Sequence, residues 1–154
     1  MVFLSLPENH PTHNGLVQRG PIKEYTHMTL WCLVSAPLLL ANDFSELDAF
    51  TKNLLENDEV LAVNQDALGQ QAKTIFSDGD ARVLAKDLAD GSKAVGLFNT
   101  GTNGTITVTV KWSDLKISGA HAVRDLWRQK DLGKFKDEFS LSVAPHSAEL
   151  VKIK

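Results

Sequence analysis

Hydrophobic spacing changes abruptly part-way along this chain, and that change limits the folds open to it. Between Glu24 and Asp66, apolar residues recur at intervals of three and four around one short unbroken apolar run. From Thr74 onward the interval falls to two, which is typical of half-buried β-strands. Helices with one buried strand, followed by β-strands alone, predict an α+β chain.

The first part of the chain has the order helix, strand, helix. We predict a helix from about Glu24 to Ser35, because the residue before Pro37 is forced away from helical dihedral angles. Leu38–Ala41 then form a strand covered on both faces, and a second helix begins near a capping box at Ser45. That order occurs in α/β barrels and doubly wound sheets. The 154 residues are too few for a whole (β/α)8 barrel, which needs about 250.

The second part predicts a β-sandwich. Turn signals such as Asp90-Gly91 and Gly133 separate six or seven short alternating segments. The clearest of these are residues 81–88, 93–99, 105–112, 121–127, 139–143 and 148–153. Such spacing is typical of an antiparallel sandwich of about 80 residues. We therefore divide the chain into residues 1–66 and 67–154.

Composition narrows the class of protein. The net charge is −3, and the basic residues after residue 66 are spread out rather than clustered, which argues against nucleic-acid binding. The most apolar segment, residues 30–41, contains Pro37 and is shorter than the roughly 20 residues that a membrane-spanning helix needs. Cys32 is the one cysteine, so no intrachain disulfide is possible and a buried thiol is expected. These features leave the cellular compartment open.

Asp43 is the candidate site residue, because it follows the predicted strand directly. In barrels and open α/β sheets, catalytic groups cluster at the carboxyl ends of the strands. The alternative is that Asn42 and Asp43 accept hydrogen bonds from the first amides of the next helix, and the residue types favour this capping role.

Two other groupings suggest metal binding, and both are incomplete. Asp78 and Asp80 resemble the start of a calcium loop, but the further oxygen ligands and the closing glutamate are missing, so a β-turn is expected. His10 and His13 lie three residues apart without a third ligand. No phosphate-binding glycine loop occurs, so we predict neither a metal site nor a cofactor site.

The remaining polar and aromatic residues favour structural roles. Trp112 and Trp127 would form a sugar-stacking platform if both faced outward, but a place in the sandwich core is expected. Asp125 is expected in an ion pair on a solvated face. Three histidines occur singly, with no nucleophile motif beside them: His27, His121 and His146. The chemistry of the sequence therefore predicts no catalytic residue.

Six short segments follow one another in a distinctive order. They are EYTHMTLW at 24–31, APLLL with Asn42-Asp43 at 36–43, EVLAVNQD at 59–66, SDGD at 77–80, VRDLW at 123–127 and LGKF at 132–135. In this order they resemble the C-terminal part of the α-galactosidases of glycoside hydrolase family 27, the melibiase family. The resemblance covers roughly residues 22–154. The Asp-Pro-Asp-Met-Leu segment usual in the family just upstream is absent, since residues 2–7 read VFLSLP, and nothing is carried over onto residues 1–9.

The resemblance implies a (β/α)8 barrel followed by an antiparallel β-sandwich. The chain would supply the last helix, strand and helix of the barrel together with the sandwich. The family is a retaining one and hydrolyses terminal α-galactosides with two aspartates, which must stand about 5 Å apart. Both lie on earlier strands of the family fold and have no counterpart here. We therefore expect no turnover by the isolated chain. We expect Asp43 to lie at the rim of the barrel.

Other readings of the resemblance stay open. A non-catalytic sandwich that binds sugar or another protein is one, and α-N-acetylgalactosaminidase specificity, chosen by upstream loops, is another. The expected partner is an α-galactoside bound by the full-length enzyme. We expect binding to neither nucleic acid nor membrane. A barrel strand at residues 38–41 without neighbours also predicts self-association through the incomplete barrel.

Overall fold

The computed structural model describes residues 21–38 and 48–154 as three helices and eight strands. The helices are α1 Pro21–Leu33, α2 Ala49–Leu55 and α3 Asp58–Asn64. The strands are β1 Lys73–Asp78, β2 Ala81–Asp87, β3 Lys93–Asn99, β4 Ile106–Lys111, β5 Ala120–Asp125, β6 Lys130–Lys136, β7 Glu138–Val143 and β8 Ser147–Ile153. The helices precede the strands, as the change in hydrophobic spacing predicts.

Helix α1 ends at Leu33, slightly before the predicted end at Ser35. The Val34 amide still donates to the Leu30 carbonyl, and Ser35 then adopts a positive φ of 51°. A residue in this left-handed conformation turns the chain out of a helix. Leu38 belongs to no regular element, and residues 39–41 of the predicted strand lie outside the described residues.

The two short helices are each capped by a side chain. Asp48 caps α2, where its Oδ1 accepts a hydrogen bond from the Thr51 amide at 2.7 Å. The cap of the described helix is therefore Asp48, whereas the sequence suggested Ser45. Asn57 is the N-cap of the third helix, α3, and its Oδ1 accepts a hydrogen bond from the Val60 amide at 3.2 Å.

The strands form an antiparallel sandwich, as predicted. Six strands make one sheet in the order β1-β2-β3-β8-β5-β6, and β4 pairs with β7 in a second sheet. Side chains from both sheets form a buried core, including Val83, Val95, Val108, Val110, Trp112 and Val151. Asp90-Gly91 joins β2 to β3, and Gly91 has the positive φ, 83°, that such turns favour.

Two strands were missed by the sequence analysis, β1 and β6, and the reading of Gly133 as a turn is wrong. Gly133 lies inside β6 with φ of 113°, where the pairing with β5 slips between Val123 and Arg124. A bulge at this point accounts for the glycine, because a residue with a side chain rarely adopts that φ.

The helices cover the other face of the six-stranded sheet. Their packing forms a second buried cluster, including Met28, Cys32, Leu33, Leu54, Val60, Val63, Phe98 and Leu150. Strand β3 is consequently buried on both faces. Helix α1 crosses β3 closely, since a Cβ built on Gly96 would lie 2.5 Å from Leu33 Cδ1. The described residues thus form three layers, with the large sheet in the middle.

Candidate functional site

A buried lysine connects the helical layer to the sheet. Lys86 of β2 is only 5% exposed, and its ammonium points into the helices. Its Nζ donates to the Cys32 carbonyl at 3.0 Å, to Ser35 Oγ at 2.8 Å and to the Val63 carbonyl at 2.5 Å. Two of these acceptors end α1 and α3, where helix dipoles place partial negative charge. The arrangement suits a fixed structural cation.

Electrostatics at Lys86 follow from burial. Burial lowers the pKa of Lys86 from its ordinary value, and attraction to Asp66 opposes that shift. Asp66 itself accepts hydrogen bonds from the Ala89 amide at 2.9 Å and the Leu68 amide at 3.1 Å. The carboxylate therefore fixes the segment that leaves α3 against the turn after β2.

Two asparagines complete the polar junction. Asn64 Nδ2 donates to the carbonyls of Ala36 and Trp31, at 2.9 and 3.3 Å, and so ties α3 to the end of α1. Asn57, besides capping α3, donates from Nδ2 to the Leu126 carbonyl at 3.0 Å. Asn57 is buried and Asn64 is half-buried, and amides at such a boundary need partners because an unsatisfied buried polar group is costly.

An arginine clamps α3 to the outer strands. Arg124 binds Glu59 with two hydrogen bonds, Nε to Oε2 at 2.8 Å and Nη2 to Oε1 at 2.6 Å. Its Nη1 also lies 2.9 Å from Asp131 Oδ1. Paired donors of this kind match a carboxylate in position and direction. The bonds to these carboxylates raise the pKa of Arg124, so the guanidinium stays charged.

The sequence analysis missed this junction, although one signal was available. Lys86 shares a face of its alternating strand with Leu84 and Leu88, which both pack against the helices. A lysine in register with apolar residues on an inward face predicts a buried, hydrogen-bonded ammonium. The partners of Asn57 and Arg124 carried no comparable signal, because they lie about seventy residues away in sequence.

The predicted site residues are not brought together. Asp43, His10 and His13 lie outside the described residues. Asp78 ends β1, and Asp80 lies with Gly79 in the two-residue turn that leads to β2, in agreement with the expected turn. Within residues 21–38 and 48–154, no group of three or more His, Cys, Asp or Glu side chains is placed to hold a metal ion.

Asp125 forms the expected ion pair in an unexpected place. Its Oδ2 lies 2.7 Å from Arg128 Nη1, but the residue is only 3% exposed, so the prediction of a solvated face is wrong. The turn after β5 folds Arg128 back over the carboxylate, and the Arg128 amide donates to Asp125 Oδ1 at 3.0 Å. The two groups therefore satisfy each other beneath the turn.

The tryptophans differ in their surroundings. Trp112 is 1% exposed and its Nε1 donates to the Phe135 carbonyl at 3.2 Å, so it belongs to the sandwich core and cannot stack on a sugar. Trp127 is half-buried between the layers, where its Nε1 donates to Thr29 Oγ1 at 2.9 Å. The Tyr25 ring packs edge-on against it, with centroids 4.7 Å apart.

The histidines and the cysteine have structural surroundings. The Thr26 hydroxyl donates to the His146 carbonyl at 2.9 Å, and His121 Nε2 lies 3.0 Å from the Ser118 carbonyl. His27 lies beside Trp31, with ring centroids 6.0 Å apart. Cys32 is fully buried, as expected, and burial raises the pKa of its thiol to about 12 against the opposing charge of Lys86.

No helix in the described part of the chain is long and apolar enough to cross a membrane.

Comparison with known proteins decides the family. Residues 15–66 match the family model of α-galactosidase A, and residues 78–153 match that of the α-galactosidase C-terminal β-sandwich domain. The chain belongs to glycoside hydrolase family 27. It corresponds to the C-terminal portion of that family's proteins, as its motifs predict.

Individual relatives agree with this assignment. The chain is 40% identical to an α-galactosidase from rice, Oryza sativa subsp. japonica, over 127 residues that cover 81% of this chain and 30% of that protein. It resembles the crystal structure of α-galactosidase I from Mortierella vinacea, with a TM-score of 0.84 and 33% identity over 90% of this chain and 37% of the other. A β-L-arabinopyranosidase from Geobacillus stearothermophilus gives a TM-score of 0.81 and 31% identity over 87% of this chain and 30% of the other.

These matches cover most of this chain but only a part of each relative. The chain spans about a third of the length of the relatives it matches. Its fold and family follow from the comparison.

Proposed function

We propose that the chain is the C-terminal part of a retaining α-galactosidase, in which residues 1–66 complete the catalytic barrel and residues 67–154 form the supporting sandwich. The observation that carries this proposal is the junction at Lys86. Its ammonium binds the ends of α1 and α3, which lie in the part that matches the α-galactosidase A family model, from a strand of the part that matches the β-sandwich model. A barrel segment fixed in this way can present its neighbouring strand, with Asp43 at the rim, to the rest of a barrel.

The proposal places both catalytic aspartates in regions for which this chain has no counterpart. A retaining glycosidase needs two carboxyl groups about 5 to 5.5 Å apart, one of which must donate a proton. Among described carboxylates at the junction, Asp125 and Glu59 are each bound by an arginine. Both carboxylates are therefore already engaged as partners in structural ion pairs.

The simplest test is an assay of the purified 154-residue chain. We expect no hydrolysis of aryl α-galactoside, aryl α-N-acetylgalactosaminide or aryl β-L-arabinopyranoside. Turnover that coelutes with the chain through two chromatographic steps would contradict the proposal, because the chain would then hold its own catalytic pair.

A positive test uses a chimera. The 127-residue region of the rice enzyme that this chain matches is replaced by the corresponding residues of this chain. We expect a folded protein that hydrolyses aryl α-galactoside, because the junction between barrel and sandwich comes entirely from one parent. The matched control takes only residues 67–154 from this chain, so its junction is mixed. A folded but inactive chimera with the whole region replaced would count against the proposed role.

Self-association of the isolated chain is a further part of the proposal. Leu30 on α1 is 40% exposed, on the helical layer that would meet other barrel elements. We expect light scattering to show concentration-dependent dimers or larger species, and Leu30→Glu to reduce them. Leu68→Glu is the control. Leu68 is 47% exposed, but it belongs to the segment that connects α3 to β1 and not to the helical layer. A monodisperse monomer at all concentrations would refute the association.

A further inference from the structure

An open cavity lies where the first half of α1 meets the sandwich. Its volume is about 320 Å³, and its lining includes Tyr25, Trp127, Arg128, Ser147 and Glu149. A volume near 300 Å³ is at the small end of ligand sites in proteins, which run to about 1,000 Å³. The cavity therefore has room for one small molecule rather than an extended chain.

The lining of the cavity combines two chemistries. Tyr25 and the half-buried Trp127, which are in edge-to-face contact, supply aromatic surface. Arg128 and Glu149 supply polar groups, and Arg128 binds Glu149 through Nη1 at 2.7 Å and Nη2 at 3.3 Å. Water can hydrogen-bond to the polar groups, but it gains little free energy from contact with aromatic rings. A ligand that carries both an apolar face and hydroxyl groups matches this lining.

Charge narrows the ligand further. Arg128 also binds the buried Asp125 at 2.7 Å, so one guanidinium is shared by two carboxylates. An anionic ligand would meet two negative charges and only one positive charge, which disfavours phosphate and carboxylate groups. Glu149 can accept hydrogen bonds from hydroxyls, and the Tyr25 hydroxyl can donate or accept.

From this combination we propose that the cavity binds a neutral pyranose, such as the terminal galactose of an α-galactoside. The C–H face of the sugar packs on Trp127, the Tyr25 ring borders the sugar at its edge, and the sugar hydroxyls bond to Glu149 and Arg128. The choice of sugar rests on the proposed function, whereas the site itself lies within this chain. It is a binding site on the sandwich side and takes no part in bond cleavage.

The tryptophans provide a direct test. The chain has three, Trp31, Trp112 and Trp127, so labelling with 5-fluorotryptophan gives three ¹⁹F resonances, and Trp127→Phe assigns the one at the cavity. We expect methyl α-D-galactopyranoside to shift the Trp127 resonance saturably, with a dissociation constant of about 1 mM for so small a ligand. The Trp112 resonance should stay fixed, because that ring lies in the sandwich core.

Conservative variants separate binding from folding. Tyr25→Phe removes one hydroxyl, and Glu149→Gln removes the charge that holds Arg128. Each variant should weaken binding of the galactoside at least fivefold. The melting temperature of Tyr25→Phe should equal that of the parent. Glu138→Gln, the same change on the exposed start of β7, should leave binding intact.

Three results would overturn the proposal. They are a linear shift without saturation, equal shifts of the Trp127 and Trp112 resonances, and a stronger response to choline than to the galactoside, which would indicate a cation site. The test is independent of catalysis. If the chain does not bind the galactoside but the chimera is active, only the proposed binding site is refuted. If the chain binds the galactoside but the chimera is folded and inactive, only the proposed function is refuted.

Discussion

Replacing Lys86 with methionine tests whether the buried ammonium holds the helices on the sandwich. The substitution removes three donated hydrogen bonds and leaves the Val63 carbonyl without its buried donor, while the Cys32 carbonyl keeps only the Ser35 amide at 3.3 Å. Hydrogen bonds from charged groups contribute roughly 1.5 to 3 kcal/mol each, and a buried unsatisfied carbonyl costs about 1 to 3 kcal/mol. Methionine, being uncharged, recovers the desolvation cost of the ammonium. We expect a net loss of about 3 kcal/mol in the free energy of unfolding.

Urea denaturation followed by tryptophan fluorescence measures this loss. Lys134→Met is the matched control, because Lys134 is exposed on β6 and forms no ion pair within the described residues. A surface change of this kind should alter the free energy of unfolding by less than about 0.5 kcal/mol. If Lys86→Met were as stable as Lys134→Met, the ammonium would not be holding the layers together.

The same variant carries a prediction about pH. Burial lowers the pKa of Lys86 below its ordinary value of 10.5, with Asp66 opposing. Between the folded pKa and 10.5 the unfolded chain binds the proton that the native chain has lost, so this group makes stability rise with pH. The stability of the parent relative to Lys86→Met should therefore increase as pH approaches 10.5. A difference that stays flat, or falls, would contradict the assignment of burial as the main cause.

Three further predictions concern the helical layer. Gly96→Ala should lower the free energy of unfolding by about 1 to 3 kcal/mol, because the added Cβ would lie 2.5 Å from Leu33 Cδ1 in a buried cluster. An unchanged urea midpoint would show that α1 does not pack closely on β3. Cys32 should resist dithionitrobenzoate in the native chain and react at once in denaturant, because its thiol is buried and its pKa is raised to about 12; rapid native labelling would contradict this. Burial and repulsion by Asp48 raise the pKa of Glu24 above its ordinary value of 4.5, so between 4.5 and the folded pKa the native chain holds a proton that the unfolded chain has lost. The parent therefore gains stability as pH falls, and the melting temperature of Glu24→Gln should drop relative to the parent from pH 7 toward 4.5. A constant difference in melting temperature would refute the shift.

Interior strands could be predicted from sequence better than the strands at the sheet edges. The bounds of β3, Lys93–Asn99, agree with the predicted segment 93–99 because its residues are buried and a clear turn precedes it. Strands β1 and β6 form the two edges of the large sheet and are exposed at most positions. Without a buried face, an edge strand lacks the alternation on which a prediction depends.

The polar junction illustrates a second limit of sequence reasoning. Asn57 caps α3, and its residue type is among those that N-cap positions prefer. Its bond to the Leu126 carbonyl and the Arg124–Glu59 pair join residues far apart in the chain. Such partners depend on how layers meet, which local patterns do not encode. The family resemblance supplied the assignment that local chemistry could not.

The position of β8 has a consequence for how the chain is made. This strand, Ser147–Ile153, lies between β3 and β5 and pairs with both. During synthesis from the N-terminus, β1, β2 and β3 can pair with one another early, but they cannot join β5 and β6 until residue 153 has emerged. Until then, the edge of β3 that pairs with β8 has no partner strand. Assembly of the large sheet is therefore a late event that depends on the final strand, and the growing chain presents an unpaired strand edge to chaperones or to other chains in the meantime.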